Sequence, residues 1–128
     1  MTTDLSMLVW SAVLCIVLFV PYILARFMYW GIPDTVGYPE KPPVLPRWAE
    51  RAKRAHINMA ENLAPFAALV LVAHVTQSAN ATTALGAAIF FWARLVHAIV
   101  FIAGVPWVRT LAFTVSIIGE FLILSQFL

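Results

Sequence analysis

The stretch ERAKRAHINMAEN, residues 50–62, leads without a glycine or proline into the apolar stretch LAPFAALVLVAHV, residues 63–75. Nothing between the two stretches ends a helix, so we predict one helix that begins near Arg47 with a polar face and then enters a lipid bilayer. Pro65 is compatible with this prediction because packed transmembrane helices tolerate proline. The predicted span covers residues 48–76.

The rest of the chain is also strongly apolar. Of its 128 residues, 62% are hydrophobic and 11% are charged, and the mean hydropathy is +0.90. Soluble domains carry about 25% charged residues, so the composition excludes a soluble domain and indicates a membrane protein. A helix needs about 20 residues to cross a bilayer, which leaves room for about four crossings. Because four thin helices can hardly enclose a large pocket, we expect any site for a sizeable ligand to lie between subunits.

Three more spans are predicted at residues 5–26, 83–103 and 107–127. Pro21 is tolerated as a kink in the first of them. Prolines exclude a continuous helix in the connection between the first two spans, where they occupy Pro33, Pro39, Pro42, Pro43 and Pro46. The predicted fold is therefore an all-α integral membrane protein, an antiparallel four-transmembrane-helix bundle that forms a single domain over residues 1–128.

Basic residues are unevenly distributed among the connections. Arg109 marks the third connection, the second has none, and six of the eight lysines and arginines lie at or in the first: Arg26, Lys41, Arg47, Arg51, Lys53 and Arg54. Because cytoplasmic connections are enriched in lysine and arginine, the first and third connections are predicted to be cytoplasmic. The same rule explains the net charge of +2 without a nucleic-acid partner. A short chain with no retention signal is compatible with a bacterial inner membrane.

Ionisable side chains within spans are costly and rarely face lipid, so their positions are informative. At about 100° per residue, the helical spacing groups them into one polar stripe on each of three spans. The second span carries Arg51, Arg54, Asn58, Glu61 and Pro65; the third carries Arg94, His97 and Phe101; the fourth carries Arg109, Phe113, Ser116 and Glu120. The three stripes are expected to meet each other, a neighbouring subunit or a polar ligand.

Two interpretations of these stripes remain open at this point. In the structural one, Glu61 pairs with Arg94 or Arg54 and the polar residues only fix the register of the helices. In the other, the four arginines outnumber the two glutamates and leave positive charge for an anionic ligand, because guanidinium groups bind carboxylates in bidentate geometry. Glu61 would then accept an ammonium group. The second interpretation describes a zwitterionic ligand with several carboxylates.

Two segments carry a family resemblance. ERAKRAHINMAENLAPF, residues 50–66, resembles the second-helix signature of the membrane-associated proteins in eicosanoid and glutathione metabolism, the MAPEG family. ARLVHAIVFIAGVPWVRTLAF, residues 93–113, is similar to the passage between the third and fourth helices of that family, above all in its microsomal glutathione transferase branch. With the four spans, the resemblance covers essentially the whole chain.

The resemblance implies a glutathione-dependent transferase or peroxidase that acts on lipophilic electrophiles drawn from the membrane. It implies a homotrimer in which glutathione, as cofactor, lies between adjacent subunits near the cytoplasmic side. Arg109 matches the catalytic arginine that stabilises the glutathione thiolate. The positions that match glutathione-binding residues are Arg26, Arg54, Asn58, Glu61, His97, Phe101 and Phe113. A guanidinium beside a thiol in a dry site lowers the pKa of the thiol and so produces the attacking thiolate.

The chain departs from the family pattern at two of these positions, because Phe101 and Phe113 stand where tyrosines are common. Two hydroxyl groups that could contact glutathione are therefore missing. This departure favours an alternative, a non-catalytic lipid- or partner-binding membrane protein of the same fold. A small multidrug transporter also has four spans and a similar length, but such transporters use an acidic residue in the first span, and residues 5–25 contain none.

Overall fold

A computed structural model describes residues 1–128, and its architecture is built from four long helical segments. These segments, which are long and apolar enough to cross a membrane, are Thr3–Trp30, Arg47–Val75, Ala81–Ala103 and Pro106–Phe127. The elements in chain order are α1 (Thr3–Val17), α2 (Phe19–Trp30), α3 (Ile32–Val36), α4 (Arg47–Val75), α5 (Ala81–Ala103), α6 (Pro106–Leu124) and a final 3₁₀ turn (Ser125–Phe127). The prediction of an all-α, antiparallel four-helix membrane bundle is confirmed.

Proline shapes both the first segment and the connection after it. The first segment is interrupted at Leu18, because Pro21 has no N–H to donate to the carbonyl one turn earlier. The connection contains the short helix α3, which the sequence analysis did not predict. Pro33 lies in the first turn of α3, where a missing N–H is harmless. The remaining prolines then keep the chain extended up to the start of α4 at Arg47.

Short connections make α5 an antiparallel neighbour of both α4 and α6. At the start of α5, the Asn80 side chain accepts hydrogen bonds from the backbone N–H groups of Thr82 and Thr83, which caps the helix. At its end, Gly104 adopts φ +84°, a conformation that glycine allows without strain. Arg51 of α4 fastens this turn by donating from Nε to the carbonyl of Ile102 at 2.8 Å.

The core is a thin column between α4 and α5. The rings of Phe66 and Phe90 stack with centroids 3.8 Å apart, and Met59 and Val70 extend this contact along α4. Only 25 of the 128 residues are buried in the chain. Most of the apolar surface is therefore left for lipid or for another protein chain, as expected for a bundle that gains little from the hydrophobic effect inside a bilayer.

Helices α5 and α6 make their closest contact through two glycines. A Cβ atom at Gly86 would lie 2.5 Å from the Gly119 carbonyl oxygen, and a Cβ atom at Gly119 would lie 2.6 Å from the Gly86 carbonyl oxygen. The backbones can approach this closely only because neither residue has a side chain. Small residues at helix crossings allow this packing in membrane proteins, and here they set the distance between the helices that carry Arg94 and Arg109.

We expect Gly86→Ala and Gly119→Ala to destabilise the protein by about 1–3 kcal/mol each, because the added methyl group would force the two backbones apart. The measurement is unfolding in mixed micelles as the fraction of sodium dodecyl sulfate is raised. Val72→Ile adds one carbon atom at a half-exposed position of α4 and serves as the control. Unfolding midpoints for both alanine variants equal to that of the control would contradict a tight glycine crossing.

Candidate functional site

A polar cavity of about 270 Å³ lies where α4, α5 and α6 approach each other near the α5–α6 turn. Helix α4 contributes one lining residue, α5 two and α6 three: Asn58, His97, Phe101, Arg109, Thr110 and Phe113. Arg51 holds the α5–α6 turn against α4 at the same end of the bundle. The cavity therefore opens at the end of the bundle that carries the first and third connections.

Aromatic rings line this cavity and hold the Arg109 guanidinium in place. The Arg109 guanidinium lies over the Phe101 ring, with Cζ 4.8 Å from the ring centroid. The same ring meets the buried His97 imidazole edge to face at 5.4 Å. A ring under the flat face of a guanidinium leaves the N–H groups at the edge of the guanidinium for an anion. His97 Nδ1 is buried and has no hydrogen-bond partner in the chain.

Asn58 reaches the cavity from α4, and a buried arginine fixes its orientation. Arg94, which is 1% exposed, donates from Nη2 to Asn58 Oδ1 at 2.6 Å. Asn62 approaches the same oxygen at 3.4 Å and donates to the Asn58 carbonyl at 2.8 Å. Because the side-chain oxygen of Asn58 accepts these bonds, its NH₂ group is the part left for a ligand in the cavity.

The polar stripe predicted on α4 is divided between the inside and the outside of the chain. Asn58 and Arg51 are half-buried, whereas Arg54 and Glu61 are exposed and do not line the cavity. Arg94 donates to Asn58, so the structural interpretation in which Arg94 is held by Glu61 is not what the chain adopts. Arg54 and Glu61 are placed to meet something outside this single chain.

One row of exposed residues on α4 has heptad spacing, and we call this row the outer stripe. Its members are Glu50, Arg54, Ile57, Glu61, Ala64, Ala68, Leu71 and Val75. Steps that alternate between four and three residues are typical of helices that pack along one seam, and small residues such as Ala64 and Ala68 allow close approach in membranes. The outer stripe has the pattern of a contact surface for another helix.

Arg26, the least supported of the predicted binding residues, lies outside the cavity on α2. Its guanidinium stacks between the rings of Tyr22 and Trp30, with Cζ 5.4 Å and 5.0 Å from the two centroids. Tyr22 in turn shares a hydrogen bond of 3.0 Å with His56 Nδ1. This cluster attaches α2 to the polar half of α4, and the buried Nε of Arg26 has no partner in it.

The structure therefore gathers five of the predicted site residues around one cavity and leaves three outside it. Asn58, His97, Phe101, Arg109 and Phe113 line the cavity; Arg26, Arg54 and Glu61 do not. Thr110 is an additional lining residue that the spacing argument missed, because it lies one position off the stripe that starts at Arg109. Its hydroxyl donates to the Pro106 carbonyl at 3.2 Å. In the sequence, only its position next to Arg109 indicates that Thr110 belongs to the site.

An apolar groove of about 460 Å³ runs along α5 and α6. Every residue that lines it is hydrophobic, and three of them are alanines, which create the depression. Two lining residues, Val96 and Ala112, directly precede His97 and Phe113 in the sequence. An apolar molecule in the bilayer therefore has a place to lie beside the helices that form the polar cavity.

Four spanning helices and a cationic cavity at one end of the bundle define an integral membrane protein with a polar site among its transmembrane helices. The sequence model of the MAPEG family matches residues 7–128, nearly the whole chain. The chain belongs to this family, which includes glutathione-dependent transferases and related proteins. No curated protein sequence matches the chain.

We expect Asn58→Leu to destabilise the protein by about 1–3 kcal/mol, because it removes the group that accepts from the buried Arg94 guanidinium. Arg94→Met in the same chain should recover most of this loss, since the unpaired charge is then removed as well. The four proteins of this double-mutant cycle would be compared by unfolding in sodium dodecyl sulfate micelles. Additive losses, with no coupling between the two positions, would argue against the bond at 2.6 Å.

Proposed function

We propose that this protein is a glutathione-binding membrane enzyme that transfers glutathione to lipophilic electrophiles or uses it to reduce lipid peroxides. The observation that carries the proposal is the Arg109 guanidinium, stacked on Phe101 at 4.8 Å on the wall of a cavity inside a membrane bundle. Family membership supports the same conclusion, because the MAPEG family generally uses glutathione.

Arg109 is the proposed catalytic residue. A free thiol has a pKa near 8.5 and is mostly protonated at neutral pH. The Arg109 guanidinium stabilises the thiolate form electrostatically, and the apolar surroundings strengthen that effect by excluding water. The resulting thiolate attacks an electrophilic carbon, or the distal oxygen of a hydroperoxide, and the leaving group departs with the bonding electron pair.

The residues around the cavity fit a zwitterionic tripeptide with two carboxylates and one ammonium. The Asn58 NH₂ group donates to a carbonyl or carboxylate, and His97, Phe101 and Phe113 form the walls near the thiol. Arg54 and Glu61, exposed on the outer stripe, supply a cation for a carboxylate and an anion for the ammonium. Arg26 is the proposed partner of the second carboxylate.

The size of the cavity supports a site shared between chains. Sites for drug-sized ligands usually occupy about 300–1,000 Å³ and enclose most of the ligand. The cavity, at about 270 Å³, lies just below this range and is open on one side, so part of a tripeptide would lie against surfaces outside it. A second copy of the chain, packed along the outer stripe, would bring Arg54 and Glu61 into an enclosed position.

The assembly we propose is a homotrimer. The outer stripe supports self-association through α4, because its ionisable residues are costly to expose to lipid. The number of three subunits comes from the family resemblance. The site then lies near the cytoplasmic side, with the first and third connections cytoplasmic, in a bacterial inner membrane. The apolar groove of α5 and α6 is the proposed route by which the hydrophobic substrate arrives from the lipid.

We expect the detergent-solubilised protein to bind glutathione and to show the ultraviolet absorbance of a thiolate when glutathione is added in stopped flow. Arg109→Ala should abolish this absorbance and lower kcat by about 100-fold or more, the usual cost of losing one oxyanion-type donor. Its effect on the dissociation constant should be smaller, because other residues hold the carboxylates.

The control for this experiment is Arg47→Ala, the same substitution at an exposed position at the start of α4. It should leave both the absorbance and the dissociation constant unchanged. Isothermal titration that detects no heat with glutathione and no competition by S-hexylglutathione would refute the proposal. Thiolate absorbance that persists in Arg109→Ala would refute the role given to Arg109.

The second candidate function is a non-catalytic lipid- or partner-binding protein of the same fold. The observation that favours it is the apolar character of the two rings beside Arg109 and Arg94. Phe101 lies under the first guanidinium, and Phe113 lies 5.9 Å from Cζ of the second. Neither ring offers a hydroxyl to a thiolate or to a leaving group.

We expect the wild-type protein to conjugate glutathione to an activated aryl halide, and Phe113→Tyr to raise kcat/KM by about 10-fold. A hydroxyl at this position would add one charge-assisted hydrogen bond to the thiolate. Phe121→Tyr adds the same hydroxyl on the exposed side of α6 and should leave kcat/KM unchanged. Glutathione binding without any turnover by the wild-type protein would instead favour the non-catalytic candidate.

A further inference from the structure

Glu120 is the one ionisable side chain in the C-terminal half of α6, and nothing proposed above uses it. It lines a cavity of about 300 Å³ between α4 and α6, which we call the α4–α6 cleft. The other four lining residues are apolar: Leu69, Ile117, Phe121 and Leu124. The Glu120 side chain is half-buried, and its Oε1 atom is buried without a hydrogen-bond partner in the chain. A carboxylate in this place is costly unless a cation compensates for its charge.

The depth of Glu120 in the bundle separates it from the basic residues of its own chain. Glu120 follows Gly119, whose Cβ position would lie 2.6 Å from the carbonyl oxygen of Gly86, near the start of α5. Glu120 therefore lies toward the end of the bundle opposite the first and third connections, which carry seven of the eight lysines and arginines. The eighth, Arg94, packs over Phe113 with Cζ 5.9 Å from the ring centroid. Phe113 lies about two helical turns before Glu120 on α6.

A second copy of the chain offers no lysine or arginine to Glu120 either. Copies inserted in the same orientation carry their basic residues at the same depths, so those of a neighbour also lie toward the other end. His74 is the one basic side chain near the end that carries Glu120, and it is exposed on α4. At 100° per residue it lies about 140° around the helix from Leu69, away from the cleft. We therefore expect the cation to come from another kind of molecule.

The lining of the α4–α6 cleft suits a lipophilic cation. Apart from the carboxylate, its walls are hydrocarbon, so an apolar substituent can lie against Leu69 and Ile117. Phe121, which is 62% exposed, adds an aromatic ring next to Glu120 in the sequence, and aromatic faces attract ammonium groups. Charge complementarity and the apolar walls thus favour the same class of molecule, an ammonium that carries a hydrocarbon chain.

We propose that the α4–α6 cleft binds a lipophilic amine from the membrane, with the ammonium group of the amine paired to the Glu120 carboxylate. Without a cation, a carboxyl group in hydrocarbon is stable only in its protonated, neutral form. A neutral amine that enters from the lipid accepts this proton and becomes the ammonium of the pair, so no further reactant is needed. The proposal does not rest on glutathione binding, because no residue that lines the polar cavity lines this cleft.

The test uses the full-length protein in phosphatidylcholine nanodiscs and measures retention of radiolabelled dodecylamine, with the retention of empty discs subtracted. The wild-type protein should retain the amine saturably, with at most one molecule per chain. Glu120→Gln should raise the dissociation constant by at least about tenfold, because the charge-assisted hydrogen bond is lost. Glu40→Gln, the same substitution in the exposed connection before α4, should leave it unchanged. Retention that is not saturable, or that is equal in Glu120→Gln and the wild type, would overturn the proposal.

Two matched comparisons test the place and the charge separately. Ile117→Trp fills the cleft but keeps the carboxylate, and it should raise the dissociation constant by at least about tenfold through steric overlap with the amine. Ile118→Trp, at the exposed position next to it, should not. Dodecanol has the same chain length without a charge and should compete at least about tenfold more weakly than unlabelled dodecylamine. Equal competition by the alcohol, or equal retention by the two tryptophan variants, would overturn the proposal.

Two further measurements identify the occupant. Size-exclusion chromatography with light scattering should give the same mass for Glu120→Gln and the wild type; a smaller mass for the variant would overturn the proposal in favour of a contact between copies. Nanodiscs that also contain phosphatidylethanolamine distinguish the sources of the amine. Dodecylamine retention that falls in these discs would assign the cleft to the amine of a lipid headgroup, and unchanged retention would assign it to a free amine. Both results support the ammonium–carboxylate pair.

Discussion

The hydrogen bond of 2.6 Å from the buried Arg94 to the half-buried Asn58, between α5 and α4, is the interaction on which the rest of the site depends. A bilayer offers no water to a buried guanidinium, so its hydrogen bonds and its charge must be satisfied by the protein. The one side-chain hydrogen bond that the chain supplies to Arg94 orients Asn58, the one α4 side chain that reaches the cavity. A constraint imposed by the membrane thereby sets the geometry of a polar site.

The thinness of the bundle is the second physical constraint. With only 25 of 128 residues buried, a single chain has little interior in which to enclose a ligand. The cavity it does form is open and lies near the α5–α6 turn, and charged residues of α4 remain on the outside. In the homotrimer that we propose, association along the outer stripe of α4 would enclose these residues.

Periodicity predicted the polar residues well and their surroundings less well. The stripes on the third and fourth spans include His97, Phe101, Arg109 and Phe113, which line one cavity in the folded chain. The spacing on α4 predicts a single polar edge, but Arg54 faces outward while Asn58 faces inward. A spacing of three and four residues limits a stripe to a sector of the helix but does not say where within that sector the packing boundary falls.

The sequence by itself determined the four spans, their antiparallel order and the polar side of each helix, because apolar length and helical periodicity depend only on local sequence. The tertiary structure decided which polar groups meet. Arg94 donates to Asn58 instead of pairing with Glu61, and Thr110 joins the cavity although it lies off the α6 stripe. These outcomes depend on how closely neighbouring helices approach, which no pattern within a single helix reveals. For α5 and α6 that distance is set by the backbone contact at Gly86 and Gly119.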